Sequence, residues 1–217
     1  GGTGYLGTAL ARELAGRGAA VVPAARGRSR PGRPIANAGG TPGTDLTPGP
    51  APGFRRADIT SPASLRSLLE PGDTVVHLVG RSPVRRPRGG RGTYREIHVE
   101  GTRKLLAAAE AAGARRFVYL SALGVARDAG AAYAETKAQA EALVETSHLE
   151  ATIVLPSILF SSRSEIIGLL RLLSRFPAVP LPEISAPFRP IHVSDAAARI
   201  ADVVLAEDPP QRLPLTG

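Results

Sequence analysis

The chain has 217 residues, of which 43% are hydrophobic and 21% are charged, which fits one globular domain able to bury a core without metal ions or crosslinks. It contains no cysteine, which excludes disulfides, zinc–thiolate sites, iron–sulfur clusters and thiol nucleophiles. No apolar stretch reaches the roughly 20 residues of a membrane-spanning helix, and no signal peptide is recognisable, so we expect a cytoplasmic protein.

Most of the net charge of +8 comes from one stretch of the chain. Six arginines fall in it without an acidic residue: Arg81, Arg85, Arg86, Arg88, Arg91 and Arg95. The rest of the chain is nearly balanced, with 21 basic and 19 acidic residues. We expect a solvated loop here, with binding of phosphate, lipid or a protein partner as the alternatives. Tyr94 is the one aromatic residue within the run, which argues against nucleic-acid binding.

The first third of the chain predicts a helix, a strand and a long loop. Leu6, Leu10 and Leu14 recur at helical spacing and predict a helix over residues 5–17, ended by glycines. Residues 20–25 form a short apolar run that is typical of a strand buried on both faces. Residues 27–53 contain seven glycines and six prolines, which predicts an irregular loop.

Apolar strands and amphipathic helices alternate through the remaining residues. Ser61 is a predicted N-cap with Pro62 at the first helical position, and Ser194-Asp195 is predicted to cap the last helix. Further helices are predicted over residues 93–112, 132–146 and 165–173, strands over 74–79, 117–121 and 152–155, and an extended segment over 190–193. This alternation predicts a doubly wound α/β fold around a parallel sheet.

The chain opens on a glycine-rich loop that leads directly into the first helix. Its glycines give either G-x-x-G-x-x-G or G-x-G-x-x-G spacing, which allows a tight turn and close approach of a pyrophosphate to the helix N-terminus. We predict cofactor contacts from Gly1, Thr3, Gly4, Tyr5, Leu6 and Gly7. This fingerprint normally follows a strand, so we expect a Rossmann fold whose central first strand is missing by truncation.

The residue after the second predicted strand selects between dinucleotides. An acidic residue there would bind the ribose hydroxyls of NAD, whereas this chain has Arg26, with Arg28 close by. A guanidinium suits a 2′-phosphate. The sequence therefore favours NADP(H) over NAD(H).

Several motifs in order along the chain resemble the short-chain dehydrogenase/reductase superfamily, in its extended and atypical, epimerase/dehydratase-like branches. They are Ala57-Asp58-Ile59, His77-Leu78-Val79-Gly80, His98-Val99-Glu100-Gly101-Thr102, residues 116–124 around Ser121, and Tyr133-Ala134-Glu135-Thr136-Lys137. His98 stands where this superfamily usually has asparagine. The resemblance implies cofactor contacts from Asp58, Ile59, Leu78, Val79, Gly80, Tyr133, Lys137 and Pro156.

The resemblance also implies a catalytic set of Ser121, Tyr133 and Lys137. Tyr133 and Lys137 are four residues apart, so they share one face of a helix. We expect the ammonium to lower the pKa of the phenol, which would donate a proton, while Ser121 polarises the substrate oxygen. No residues show metal-ligand spacing, so no metal is expected.

Two late segments, residues 155–160 and 188–195, resemble a narrower subgroup: the nucleotide-binding accessory subunit of respiratory complex I and its bacterial relatives. Leu155 and Ser161 depart from that pattern. We expect a dinucleotide-binding domain over residues 1–155 and part of a substrate-side region over 156–217. The leading hypothesis is an NADP(H)-dependent oxidoreductase or epimerase/dehydratase acting on an unknown small molecule. The alternative is a non-catalytic accessory, assembly or sensor subunit, associated with a protein complex or peripherally with the inner face of a membrane.

Overall fold

The computed structural model of the chain describes residues 1–26, 54–82, 93–161, 164–176 and 189–217. The predicted loop over residues 27–53, which contains Arg28, lies outside the described residues, as do residues 83–92 of the arginine-rich stretch.

Helices and strands alternate as the sequence predicts. The helices are α1 Tyr5–Gly16, α2 Pro62–Arg66, α3 Gly101–Ala112, α4 Ala132–Glu145, α5 Glu165–Leu173 and α6 Val193–Leu205. The strands are β1 Ala24–Ala25, β2 Arg55–Arg56, β3 Thr74–His77, β4 Arg116–Leu120, β5 Glu150–Pro156, β6 Leu159–Phe160, β7 Ile191–His192 and β8 Arg212–Leu215. A π-helical segment, Arg95–Glu100, leads into α3.

All strand pairs among the described residues are parallel, with a main sheet in the order β3-β4-β5-β8 and two separate pairs, β1-β2 and β6-β7. The sheet is buried on both faces. Phe117 and Tyr119 of β4 pack on the side of α3 and α4, whereas Val118 packs with α1 and α6. This two-sided burial confirms the predicted doubly wound α/β fold. Because β8 pairs with β5, residues of the predicted substrate-side region also belong to the main sheet; the division at residue 155 stays a prediction.

A cavity of about 420 Å³ separates β1 from β3. Its walls include residues 19–24 on one side and residues 72–79 on the other, with Leu10 and Leu14 of α1 above them. This is the position in the sheet where the sequence analysis places the central strand. Of the predicted strand over residues 20–25, only Ala24 and Ala25 pair, and their partner is β2.

Ser61 is the N-cap of α2 with Pro62 at the first helical position, as predicted, whereas the predicted cap of α6 is wrong. The side chain of Ser61 makes no capping hydrogen bond at α2; instead Ser64 Oγ donates to the carbonyls of Asp58 and Ser61 at 3.0 and 2.9 Å. At α6 the N-cap is His192, whose ring accepts a hydrogen bond from the Ser194 backbone N–H. The N-cap therefore lies two residues earlier than the serine signal indicates.

The side chain of Arg116 joins β4, β5 and the end of α6. It is 2% exposed, and its Nε and Nη2 donate to the two oxygens of Glu150 at 3.0 and 2.9 Å. The same guanidinium donates to the carbonyls of Val203, Val204, Ala206 and Glu207. These carbonyls lack helical partners at the C-terminus of α6, so Arg116 satisfies several acceptors with one buried cation. The hydrogen bond from Arg116 also lowers the pKa of Glu150 below its ordinary value.

We expect Arg116→Met to lower the free energy of unfolding by about 2–4 kcal/mol, because it removes charge-assisted hydrogen bonds and leaves carbonyls without donors. Urea unfolding measures the change. The neighbouring Arg115 is exposed and gives a matched control: Arg115→Met should change stability by less than about 0.5 kcal/mol. Equal losses in the two variants would contradict the role of Arg116.

Candidate cofactor site and active site

The glycine loop fits between the ends of β1 and β3 without room for side chains. The Gly2 N–H donates to Ala24 O at 3.0 Å, and the Gly4 N–H donates to Gly1 O at 2.9 Å, which closes a tight turn. A Cβ on Gly1 would lie 2.6 Å from the Leu78 carbonyl carbon, and one on Gly2 would lie 2.8 Å from the Ala24 nitrogen. Glycine is therefore required at these two positions by close approach of backbone atoms.

The start of α1 is suited to an anion. Its N-cap, Gly4, offers no side chain to the helix, and the first turn carries no acidic residue. Backbone N–H groups at a helix N-terminus lack intrahelical acceptors and attract phosphate. Thr3 and Tyr5 are exposed beside this turn, whereas the side chain of Leu6 is 5% exposed and packs in the core. A tight glycine cradle below an uncapped helix start fits the pyrophosphate of a dinucleotide.

Arg26 is the predicted contact for a 2′-phosphate. Its side chain is exposed and follows β1 directly. The Gly2 N–H donates to the carbonyl of Ala24, two residues before Arg26, so the backbone of Arg26 is near the glycine loop. A cation in this place can meet an anion that also contacts the loop.

The other predicted cofactor residues line the same edge of the sheet. Leu78 and Val79 are half-buried after β3, and Gly80 is exposed. Asp58 accepts hydrogen bonds from the Thr60 backbone N–H and hydroxyl at 2.9 and 2.8 Å. The side chain of Ile59 is 5% exposed and lies against Gly101. Pro156 is buried at the end of β5, where its carbonyl accepts from the Leu123 N–H.

Lys137 is a buried cation at the carboxyl end of β4. Its side chain is 4% exposed, and Nζ donates to Leu120 O at 2.5 Å and to Tyr119 OH at 3.3 Å. Burial lowers the pKa of Lys137 to about 7, while the Glu141 carboxylate one turn further along α4 opposes this shift. Gly80 lies close by, since a Cβ there would be 3.8 Å from Nζ. The ammonium is thus next to the edge where the cofactor residues gather.

Tyr133 belongs to an aromatic cluster at the start of α4. Its ring meets the edges of His98 and Tyr94, with centroids 5.5 and 5.9 Å away. No hydrogen bond joins Tyr133 to Lys137 among the described residues. The pKa of Tyr133 is raised, first by burial and then by Tyr94. The expected lowering by Lys137 is therefore wrong for this conformation, because the ammonium is directed to Tyr119.

Ser121 lies at the carboxyl end of β4 and is 4% exposed. Its hydroxyl donates a hydrogen bond to Glu141, whose other oxygen accepts from Arg212 Nη2 at 2.7 Å. Arg212 also donates to Glu145 at 2.5 Å. Ser121 is thus part of a polar chain that ties β4 and α4 to β8.

Over the described ranges, no three His, Asp or Glu side chains gather as a metal-binding group. Across the same residues, none of the helices has both the length and the apolar character needed to cross a membrane.

Comparisons with known proteins identify the family and the fold. The model of the NAD dependent epimerase/dehydratase family matches residues 1–167, which is more than half of the chain. The chain belongs to this family. The fold likewise matches UDP-glucose 4-epimerase of Thermus thermophilus in complex with NAD, with a TM-score of 0.71 at 16% identity, covering 100% of this chain and 76% of that one. The structural likeness shows the Rossmann-like fold, and the family model shows that this is an NAD-binding type of domain.

Two curated relatives carry different names. The ceramide reductase of Caulobacter vibrioides is 30% identical over 144 residues, which cover 66% of this chain and 44% of the relative. The mitochondrial NADH dehydrogenase (ubiquinone) 1 alpha subcomplex subunit 9 of Rattus norvegicus is 26% identical over 159 residues, which cover 71% of this chain and 41% of the relative. The chain spans less than half the length of either relative.

Two residues of the site were not found by sequence reasoning. Tyr94 was noted only as an aromatic residue in a basic stretch, yet its ring contacts both His98 and Tyr133. Tyr119 lay within the motif around Ser121 and was assigned no role of its own, yet its hydroxyl accepts a hydrogen bond from Lys137. The signal available for Tyr94 was its place one turn before His98 on the same predicted helix.

The lowered pKa of Lys137 predicts how stability depends on pH. Between about pH 7 and 9 the unfolded chain holds the Lys137 proton more firmly than the folded one, so the free energy of unfolding should rise with pH. The slope is at most about 1.4 kcal/mol per pH unit. Urea unfolding of the parent and of Lys137→Met across this range isolates the effect. The variant should lose the extra slope, and parallel pH profiles would show that Lys137 keeps an ordinary pKa.

Proposed function

We propose that the chain is the cofactor-binding part of an NADP(H)-dependent oxidoreductase of this family, with reduction of a carbonyl favoured over epimerisation or dehydration. The observation that carries this proposal is the meeting of the glycine cradle, Lys137 and Tyr133 at one edge of the sheet. Open α/β sheets bind ligands outside the carboxyl ends of their strands. The similarity to a ceramide reductase supports the reductive direction, while the substrate of the whole protein is itself part of the proposal. The cytoplasmic location stays a prediction from the sequence.

A bound NADPH would supply the hydride at this edge. The Gly1–Gly7 loop and the start of α1 would hold the pyrophosphate, and Arg26 would hold the 2′-phosphate. Lys137 Nζ would donate to the nicotinamide ribose, for which it must share or exchange its bond to Leu120 O. Tyr133 Oη would give its proton to the substrate oxygen. Burial raises the pKa of this phenol, so it holds its proton near neutral pH, and proton transfer would require Lys137 to stabilise the phenolate once the ligands are bound.

The proposed role of Ser121 requires a rearrangement. To polarise a substrate oxygen, its hydroxyl would have to leave Glu141 and turn toward the ligand. Glu141 would keep its ion pair with Arg212 when this happens. The Ser121 hydroxyl can therefore exchange Glu141 for a substrate oxygen while the Glu141 carboxylate keeps Arg212 as a hydrogen-bond donor.

We expect Arg26→Ala to weaken NADPH binding by about 1–3 kcal/mol and to leave NADH binding nearly unchanged, because only NADPH has a phosphate for the guanidinium. Calorimetric titration with both dinucleotides measures the difference. Arg56→Ala is a matched control, since Arg56 is an exposed arginine on the neighbouring strand β2. Equal affinities of the parent for the two cofactors would remove Arg26 from the site.

We expect Tyr133→Phe to lower turnover by roughly 10²–10⁴, the usual contribution of general acid–base catalysis, with little change in cofactor affinity. The ring and its contacts with His98 and Tyr94 are kept, and only the proton is lost. Lys137→Arg should also lower turnover, because a broad guanidinium cannot occupy the place of a compact ammonium. Cofactor oxidation with a panel of carbonyl substrates is the assay, and thermal shift measurements control for folding.

A second function is a non-catalytic, dinucleotide-binding accessory subunit. Two observations favour this function. Lys137 donates a hydrogen bond to Tyr119 rather than to Tyr133, and one relative is a subunit of NADH dehydrogenase. Under this alternative Tyr133→Phe would leave every property unchanged except local packing, and Lys137→Arg would affect only cofactor binding and stability. Cofactor binding by the parent without cofactor oxidation on any substrate of the panel would decide for the accessory role, whereas a Tyr133→Phe variant that turns over as fast as its parent would remove Tyr133 from the catalytic set.

A further inference from the structure

We propose that His98 is a positioning residue for Tyr133, held as a neutral imidazole with its proton on Nδ1, and that it acts by linking the segment after β3 to the first turn of α4. This inference rests on the proposed function in one respect, namely that Tyr133 is the proton donor. His98 is 1% exposed and lies on the π-helical segment before α3. Such segments often occur at functional sites because they redirect side chains that a regular helix would place elsewhere.

The hydrogen bonds of His98 determine its tautomer. The backbone N–H of Arg81 donates to His98 Nε2 at 3.0 Å, so this nitrogen must present a lone pair. The other ring nitrogen, Nδ1, lies 3.0 Å from Thr136 Oγ1. The Thr136 hydroxyl donates its own proton to a backbone carbonyl, that of Ala132, at 2.6 Å. Thr136 Oγ1 is therefore the acceptor in its contact with His98, and Nδ1 carries the proton.

The charges around His98 keep it neutral. Burial, and after it the nearby ammonium of Lys137, lowers the pKa of His98 to about 3. A protonated ring would place an Nε2–H against the Arg81 N–H, so two donors would meet. The direction of each hydrogen bond in this chain is thus fixed near neutral pH.

This linkage bears on Tyr133 in two ways. Thr136 is the third residue after Tyr133 on α4, and Thr136 Oγ1 also lies 3.1 Å from the Tyr133 carbonyl. The imidazole itself meets the Tyr133 ring edge to face, at 83° between planes. His98 therefore contacts both the backbone turn that carries Tyr133 and the ring of Tyr133.

A second histidine shows that the segment after β3 is held from two sides. The Val79 N–H donates to His77 Nδ1 at 3.3 Å, and His77 Nε2 lies 2.9 Å from Thr102 Oγ1. Thr102 in turn donates to the carbonyl of His98 at 2.5 Å. The residues expected to contact the cofactor, 78–80, lie between these two anchors. His98 therefore holds Tyr133 in a fixed position relative to the residues expected to contact the cofactor.

The test uses two amides that each keep half of the linkage. In His98→Asn the side-chain amide can replace Nδ1–H as donor to Thr136, whereas in His98→Gln the longer amide can replace Nε2 as acceptor for the Arg81 N–H. Thr152→Val is the matched control: Thr152 is fully buried, and its hydroxyl donates to Pro210 O at 2.9 Å, near the opposite end of β5 from Pro156. All three variants lose one buried hydrogen bond.

Two readouts are measured on each variant: the ¹³Cζ resonance of Tyr133, assigned with Tyr133→Phe, and turnover at saturating cofactor. We expect His98→Asn to keep one Tyr133 resonance and turnover within roughly threefold of the parent, and His98→Gln to broaden or split the resonance and lower kcat by about tenfold or more, with cofactor Kd unchanged. Thr152→Val should lower the melting temperature without altering either readout.

Several outcomes would overturn the proposal. They are equal behaviour of the Asn and Gln variants, an altered Tyr133 resonance in Thr152→Val, or a loss of turnover that follows the melting temperature alone. Nitrogen-15 NMR of the histidines in the unaltered protein tests the tautomer without any variant, and an Nε2–H signal for His98 would contradict it. The Tyr133 resonances of the variants could respond as expected while even the parent shows no turnover. That result would support positioning of Tyr133 by His98 and contradict the proposed function.

Discussion

The burial of the Lys137 ammonium constrains the whole site. A buried ammonium needs hydrogen-bond acceptors for its N–H groups. Lys137 donates to the Leu120 carbonyl and to the Tyr119 hydroxyl, and the Glu141 carboxylate lies one turn away on the same helix. Its charge lowers the pKa of the nearby His77 and His98, in each case after burial as the larger cause. The two imidazoles are therefore neutral, and a neutral imidazole can accept a backbone N–H on one nitrogen while it donates from the other. Burial, reinforced by the Lys137 charge, thus sets the direction of the hydrogen bonds that fix the segment after β3.

Helix positions could be predicted from the sequence because apolar spacing and glycine stops are local signals. The bounds of α5 agree at both ends, and those of α1 and α4 differ by one residue at their C-termini. Strand bounds were less predictable because pairing depends on a distant partner: residues 20–23 are apolar but lie beside a cavity rather than a strand. The π-helical turn had no signal, since its residues keep the apolar pattern of a regular helix. The Gly1–Gly7 cradle could be recognised because its glycine spacing is a local signal, although the backbone atoms that require glycine at Gly1 and Gly2 belong to the distant residues Leu78 and Ala24.

The side-chain partners at the site were harder to predict than its location. Sequence spacing correctly places Tyr133 and Lys137 on one helix but does not determine which phenol the ammonium meets. Tyr119 lies on β4, across from α4, and the helix-to-sheet packing brings its hydroxyl to Nζ. Ser121 likewise has an acceptor on α4, Glu141, that no local pattern indicates. Partners contributed by tertiary packing, unlike those one turn apart, are not encoded in any short segment.

The contrast between two buried cations explains why this chain keeps a lysine. Arginine supplies 25 of the 27 basic residues, and lysine occurs only at Lys104 and Lys137. Arg116 is as buried as Lys137, but a carboxylate and four backbone carbonyls accept hydrogen bonds from its guanidinium. Lys137 has fewer acceptors, and its pKa falls to about 7, so its position suits a compact group that can lose its proton. A guanidinium there would hold its charge with too few acceptors, which costs more than a neutral amine. The position of Lys137 therefore selects lysine on physical grounds, even in a chain whose composition strongly favours arginine.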